Sequence, residues 1–176
     1  MRQRKTFVIA DLHFGHANVM KYSPSRMKVI DYVEDNPEKV LEELLIKRWN
    51  EVVQSQDIVY VLGDFTLSRD KNYIKYLLDK LNGSKVLIRG NHDTLKTDVY
   101  IKLGFETVVD GALMFRKHKL FMSHEPMDRN LIVEGYFNLF GHVHERTEFN
   151  WERGKCVSVE QINFTPLCIS KYLSKY

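Results

Sequence analysis

Apolar residues follow two different rhythms in the two halves of this chain. In the first half, short apolar runs alternate with helical patterns. Thr6 to Ala10 is an apolar run that stops at Asp11, which predicts a buried strand. Asn36-Pro37-Glu38 predicts a helix start, with Asn as the cap and Pro in the first turn. Val40, Leu41, Leu44, Leu45 and Trp49 then recur at helical spacing, with Glu42, Glu43, Lys47 and Arg48 between them. Asp57 to Leu62 reads as a second strand, Asp70 to Leu81 as a helix, and Lys85 to Ile88 as a third strand. Strands alternating with helices imply a parallel sheet with right-handed crossovers.

The second half changes character. Glu106–Asp110, Leu113–Lys117, Lys119–Ser123, Tyr136–Phe140 and Lys155–Val159 are short strand candidates joined by brief turns, with few helical patterns between them. This predicts mainly antiparallel pairing there. Two sheets packed face to face, with helices outside, is the natural assembly.

Composition sets the class without naming the activity. The 176 residues are enough for one domain with a substantial core and short for two, so a single domain over 1–176 is expected. Hydrophobic content of 44% and charged content of 28% are ordinary for a soluble globular protein. A net charge of +3, with Lys and Arg spread among acids, suits an anionic substrate but shows no nucleic-acid stripe. Cys156 and Cys168 lack Cys-x-x-Cys spacing and make no disulfide framework, so reduced thiols are expected. The N-terminal apolar run meets Asp11 too early for a signal peptide, and no stretch reaches membrane-spanning length. A cytoplasmic location, away from any membrane, follows as the expectation.

The chemistry lies where strands end. Asp11-Leu12-His13, Gly63-Asp64, Gly90-Asn91-His92-Asp93, His124 and Gly141-His142-Val143-His144 occur in that order. Any one of these is close to worthless alone. Together they absorb five of the seven histidines, with His16 beside the first motif and His118 apart. Carboxylate, amide and imidazole ligands suit a pair of borderline divalent metals such as Mn, Fe or Zn. Paired metals sharing a carboxylate are a device for hydrolysing phosphate esters. Ligands after the C-terminal ends of parallel strands also sit where α/β sheets place their active sites.

These ordered motifs resemble the calcineurin-like metallophosphoesterase superfamily. The run Asp11 to Asn18, with Trp49-Asn50 and Tyr60 to Phe65, is similar to a compact bacterial and phage subfamily. The resemblance covers roughly Phe7 to Val159. It implies an α/β fold, a four-layer α-β-β-α sandwich of two mixed sheets. It also implies a cofactor of two divalent metal ions (Mn, Fe, Zn or Ni, with Mn favoured). Asp11, His13 and His144 are then expected on one metal, Asn91, His124 and His142 on the other, and Asp64 between them. His92 is expected to face the substrate as the catalytic residue, assisting the leaving group, while a metal-bridging hydroxide attacks phosphorus.

Elementary chemistry agrees with those expectations. A carboxylate can span two cations, and neutral Asn91 keeps the site positive enough to attract phosphate. Gly63 and Gly90 let the backbone approach closely. Asp93 is expected to orient His92 or its loop, and His16 is a candidate for substrate contact or capping. Relatives often carry Asn at the position of Cys156 and Asp near Glu160, positions outside the expected metal set.

The chain shows no cap or accessory domain, so substrate choice falls to the loops Thr66–Asp70, Thr94–Asp98, Met127–Glu134 and Glu145–Gly154. Arg129 and Arg146 are anion-contact candidates there, although a solvated surface role is favoured for each. The expected activity is that of a metal-dependent phosphoric ester hydrolase acting on a small phosphate ester or nucleotide, with phosphodiesters slightly favoured. A phosphomonoesterase or a nuclease of the same fold is an alternative, with nucleic acid not favoured as the partner. A non-catalytic protein-binding scaffold is another, although such proteins usually replace a ligand and here every expected type is present.

Overall fold

The computed structural model describes residues 2–16, 18–30 and 36–170. Strands β1 (Thr6–Ile9), β2 (Ile58–Leu62), β3 (Ser84–Ile88) and β4 (Thr107–Val109) pair in parallel, and β9 (Leu167–Cys168) adds to β1 in the antiparallel sense. The resulting order is β4-β3-β2-β1-β9. The second sheet, β5-β6-β7-β8, comprises Ala112–Phe115, Leu120–Ser123, Phe137–Phe140 and Gly154–Cys156. Both sheets are mixed.

Side-chain alternation on β1 shows how the layers form. Phe7 and Ile9 face the helices, packing with Leu41, Leu45 and Trp49 of α3 (Pro37–Val52) and Ile74 and Leu77 of α4 (Lys71–Lys80). Val8 and Ala10 face the other way, onto Leu120, Met122 and Leu139 of the second sheet. The short helices α1 (Val19–Tyr22), α2 (Ser25–Val29) and α5 (Thr97–Leu103) complete the outer layer of the first sheet. Outside the second sheet, among the described residues, the covering layer is the 124–136 loop and a 3-10 turn at Thr147–Phe149, whose Phe149 packs on Phe140.

Helix α3 begins where its cap predicts, with Asn36 accepting from Lys39 N. Trp49 and Asn50 at its far end are structural: Trp49 Nε1 donates to Asn82 O, and Asn50 Oδ1 accepts from Asn82 N. Lys85 of β3 is buried, and its ammonium binds Leu78 O and Leu81 O at the end of α4.

The second sheet corrects one expectation. Only β5 and β6 pair antiparallel; β6-β7 and β7-β8 are parallel. Parallel neighbours normally need a helical crossover, but here residues 124–136 and 141–153 make the return without an α-helix. That choice matters for the site, because it brings the ends of β6 and β7 to one edge. The 113–117 strand candidate also stops early, at Phe115, and His118 closes a 3-10 turn.

The two sheets join at the tip of β1. Ala10 N donates to Val157 O, and Val159 N to Ala10 O, pairing Ala10 with Ser158.

Candidate metal centre

Every ligand candidate follows the C-terminal end of a parallel strand. Asp11 and His13 follow β1, Asp64 follows β2, and Asn91 follows β3. His124 follows β6, and His142 and His144 follow β7. The local backbone is unusual. Asp11, His13, Asp64, His142 and His144 all have positive φ, between 50° and 69°. Non-glycine residues are held in this region only when their surroundings over-determine it, and such strain gathers at functional sites.

Glycines make room for the convergence. A Cβ at Gly63 would lie 2.3 Å from His124 Nδ1, and one at Gly90 would lie 2.3 Å from Asp64 Oδ1. At Gly141 it would meet Ala10 Cβ at 2.6 Å and Asp11 Oδ2 at 2.9 Å.

The side chains converge as two groups. Ligand atoms of Asp11, His13 and His144 all lie within 4.8 Å of one another, and so do those of Asp11, Asp64 and His124. Asp64 Oδ2 is 3.5 Å from His13 Nε2 and 3.7 Å from His124 Nε2. Asn91 Oδ1 is 2.8 Å from His124 Nε2 and 3.2 Å from His142 Nδ1. His92 stands at the edge, with 41% of its side chain exposed and Nε2 3.9 Å from Asp64 Oδ2. His16 packs near His13, with ring centroids 5.7 Å apart.

Several buried polar atoms make no hydrogen bond. These include Asp11 Oδ1 and both ring nitrogens of His13. Unpaired buried polar groups are costly, so each calls for an explanation. The Asn91 corner adds a second. His124 Nδ1 is 2.9 Å from Leu62 O, and with its proton placed there Nε2 presents a lone pair. That lone pair faces the Asn91 carbonyl oxygen, acceptor against acceptor. Oxygen and nitrogen lone pairs focused on shared points, in a cradle that glycines keep open, fit divalent cations.

Burial dominates the electrostatics. It pushes Asp11 up to about 6, against the pull of His144, His124 and Ser158. It lowers His13 well below the ordinary imidazole value, helped by the Arg26 guanidinium. His142 is lowered by burial and by His124. His144 goes the other way: burial opposes its charge, but the Glu160 carboxylate and Asp11 outweigh burial and raise it. A neutral His13 keeps its lone pair available to a cation.

Surrounding groups hold the ligands. Asp93 Oδ2 accepts from Asp64 N at 2.8 Å and Gly90 N at 2.9 Å, while Oδ1 accepts from Phe65 N at 3.1 Å. Asp93 therefore fixes the two loops rather than the His92 ring. Asp11 Oδ2 accepts from His142 N and Ser158 Oγ. Glu160 Oε1 accepts from Arg26 Nε at 2.7 Å and lies 2.9 Å from His144 Nδ1. Arg26, Ser158 and Glu160 are participants that sequence reasoning missed. Arg26 carried no legible signal, since Lys21 and Lys28 flank it in the same segment and nothing in the sequence sets it apart from them.

The remaining candidates make other contacts. Arg129 and Arg146 stack over Trp151 and Phe149 at 5.7 and 4.8 Å. Cys156 and Cys168 are free thiols.

A two-sheet α/β sandwich with buried carboxylates and imidazoles at one strand edge is the architecture of a metal-dependent hydrolase class. The chain belongs to the calcineurin-like phosphoesterase family, which it matches over residues 4–168. An uncharacterized protein of Methanocaldococcus jannaschii is 36% identical over 177 residues, spanning 96% of this chain and 89% of the relative. The gene 66 protein of Mycobacterium phage L5 is 34% identical over 90 residues, 50% of this chain and 39% of the phage protein. A solved protein of unknown function from Aquifex aeolicus superposes with a TM-score of 0.71 at 25% identity, covering 99% of this chain and 100% of its own. Among the described residues, no helix is long and apolar enough to cross a membrane.

Proposed function

We propose that the protein is a dinuclear-metal-dependent phosphoesterase, with residues 1–176 forming one cytoplasmic phosphoesterase domain. The carrying observation is Asp64 Oδ2, which is within 4 Å of both His13 Nε2 and His124 Nε2. In this reading Asp64 serves two cations, Mn favoured. Asp11, His13 and His144 complete one subsite, and Asn91, His124 and His142 the other. When bound, the cations supply positive charge for phosphoryl oxygens and a water acidic enough to attack near neutral pH.

The chain's own residues do the rest. Asn91 donates an oxygen without adding negative charge, which favours an anionic substrate. The Asp93 bonds keep Asp64 and Asn91 in register before substrate arrives, which is preorganisation rather than rearrangement. His92, at the exposed edge, gives a proton to the leaving oxygen. The substrate is a small phosphate ester or nucleotide, with diesters slightly favoured over monoesters because compact relatives with this Gly-His-x-His ending commonly act on diesters.

The test uses metal-free protein reconstituted with Mn and assayed on paired aryl phosphodiester and phosphomonoester substrates. Hydrolysis that chelator abolishes and Asp64→Ala removes, together with metal, is the expected result. Metal-loaded protein inert to a broad phosphoester panel, yet retaining a protein partner, would establish a scaffold instead.

A further inference from the structure

Arg26 is the one buried residue of α2, with no exposure at all. Its guanidinium makes three bonds. Nη1 donates to Leu12 O, Nη2 to Asp11 O, and Nε to Glu160 Oε1. The two carbonyls immediately precede His13 and lie in the segment where Asp11 and His13 adopt φ of 58° and 50°. Glu160, its side chain 1% exposed, meets His144 Nδ1 with the same oxygen that meets Arg26.

We infer that the Arg26–Glu160 pair is a dedicated positioning brace for one cation subsite, that of Asp11, His13 and His144, and leaves the other subsite to separate supports. This inference rests on the dinuclear reading above. The planar fork of Arg26 locks the left-handed backbone that aims Asp11 and His13. The Glu160 carboxylate accepts a hydrogen bond from Nδ1–H of His144, so that Nε2 turns its lone pair to the subsite. A carboxylate behind a metal-binding imidazole fixes its tautomer and orientation and strengthens it as a ligand.

The same pair is a poor device for stability alone. Two charges taken wholly out of water lose most of what their attraction returns, and apolar replacements often do as well. A clip between α2 and the 159–162 turn would also need no contact with His144 or with the carbonyls before His13. The second subsite is held differently. His124 leans on Leu62 O, and the Asn91 loop is fixed through Asp93 and through Arg89, which binds Asp93 O and Leu95 O. The two sides also touch, as His142 N donates to Asp11 Oδ2 at 2.8 Å. That bond leaves Asp11 Oδ1 free.

The experiment titrates Mn into metal-free wild type, Glu160→Gln and Arg26→Lys. Calorimetry gives the affinities, and electron paramagnetic resonance separates coupled from isolated Mn. Unfolding of each metal-free protein is followed in parallel. Wild type should take two cations and show the coupled signal. Both variants should retain one cation at wild-type affinity and bind the second about 10- to 100-fold more weakly, with the isolated signal appearing at intermediate loading. Equal weakening of both cations, or of neither, overturns the brace, because a merely structural pair lowers melting without choosing a subsite. Glu160→Gln leaves Arg26 without its counter-charge; if it does not fold, Arg26→Lys, which keeps the charge and loses the fork, decides. Failure of both to fold makes the pair structural and also overturns the inference. Wild type that binds no Mn overturns the phosphoesterase reading itself, a result distinct from two cations bound without selectivity in the variants.

Discussion

The Asp93 carboxylate holds the backbone of Asp64: Oδ2 accepts from Asp64 N at 2.8 Å, and Asp64 Oδ1 in turn accepts from His92 N at 2.9 Å. Two loops from different strands are thereby laced through a pair of acids. Asp93→Ala would leave the amides of Asp64, Phe65 and Gly90 without their acceptor. An unsatisfied buried donor costs about 1–3 kcal/mol, so a fall of roughly 3 kcal/mol or more in unfolding free energy is expected by urea titration. Asp93→Asn keeps one acceptor oxygen and should lose less. A fall below about 1 kcal/mol for Asp93→Ala would mean that other acceptors replace it.

Gly63 and Gly111 share a left-handed backbone, at φ of 83° and 82°, but not their surroundings. A Cβ at Gly111 meets nothing within 4 Å. Gly111→Ala should therefore show the backbone cost alone, about 1–2 kcal/mol, with Mn binding intact. At Gly63 the added carbon collides with His124, so Gly63→Ala should lose Mn affinity as well as stability. Calorimetric Mn titration of both variants makes the comparison. Equal Mn binding by the two would remove Gly63 from the site.

His92 sits beside the ligands, and its proposed task is at the leaving group. His92→Ala should keep both cations while the chemical rate drops about 100- to 10,000-fold. The loss should be large for an alkoxide leaving group and small for nitrophenolate, which needs no proton. Metal content and rates are measured on one preparation. Equal losses for the two leaving groups exclude the acid role, and loss of one metal makes His92 a ligand.

Asp57 gives a pH dependence remote from the metal centre. It is fully buried. Burial alone would raise its carboxyl, but the amides of Gln54 and Lys5 and the Arg2 guanidinium outweigh burial and hold it below the ordinary value of 3.8. A carboxyl lowered on folding contributes stability that is present above 3.8 and lost as pH falls through the folded value. Asp57→Asn should therefore destabilise the protein at pH 7, and the gap from wild type should narrow below about pH 4. Urea titrations across that range test this, and a gap independent of pH would assign the effect to packing.

Much of the first half was legible because its signals are local. Asn36-Pro37 marks a helix start by capping chemistry, and β1 to β3 are apolar runs that stop at charged or glycine-bearing motifs. The ligands were legible because their types cluster at those stops. Strand direction in the second half was not, since a short apolar run such as Leu120–Ser123 reads the same either way. The absence of a helical pattern between β6 and β7 suggested hairpins, yet a helix-free loop made the crossover. Helix α5 escaped because its stretch carries few residues and begins inside what reads as a loop. Arg26 and Glu160 lie 134 residues apart, and no spacing rule connects charges that meet only in the folded core.

Left-handed backbone at Asp11, His13, Asp64, His142 and His144 has a consequence for how this chain tolerates change. Each position needs a side chain for its task, yet occupies a conformation that penalises side chains. Glycine would relieve the backbone and abolish the task; any bulkier residue fails on both counts. Mutational scanning should find isolated cliffs at these five places, set among neighbours such as Val143 where apolar exchanges grade smoothly. Variants selected only for heat resistance will meet the same conflict: the substitutions that calm this edge are the ones that disarm it.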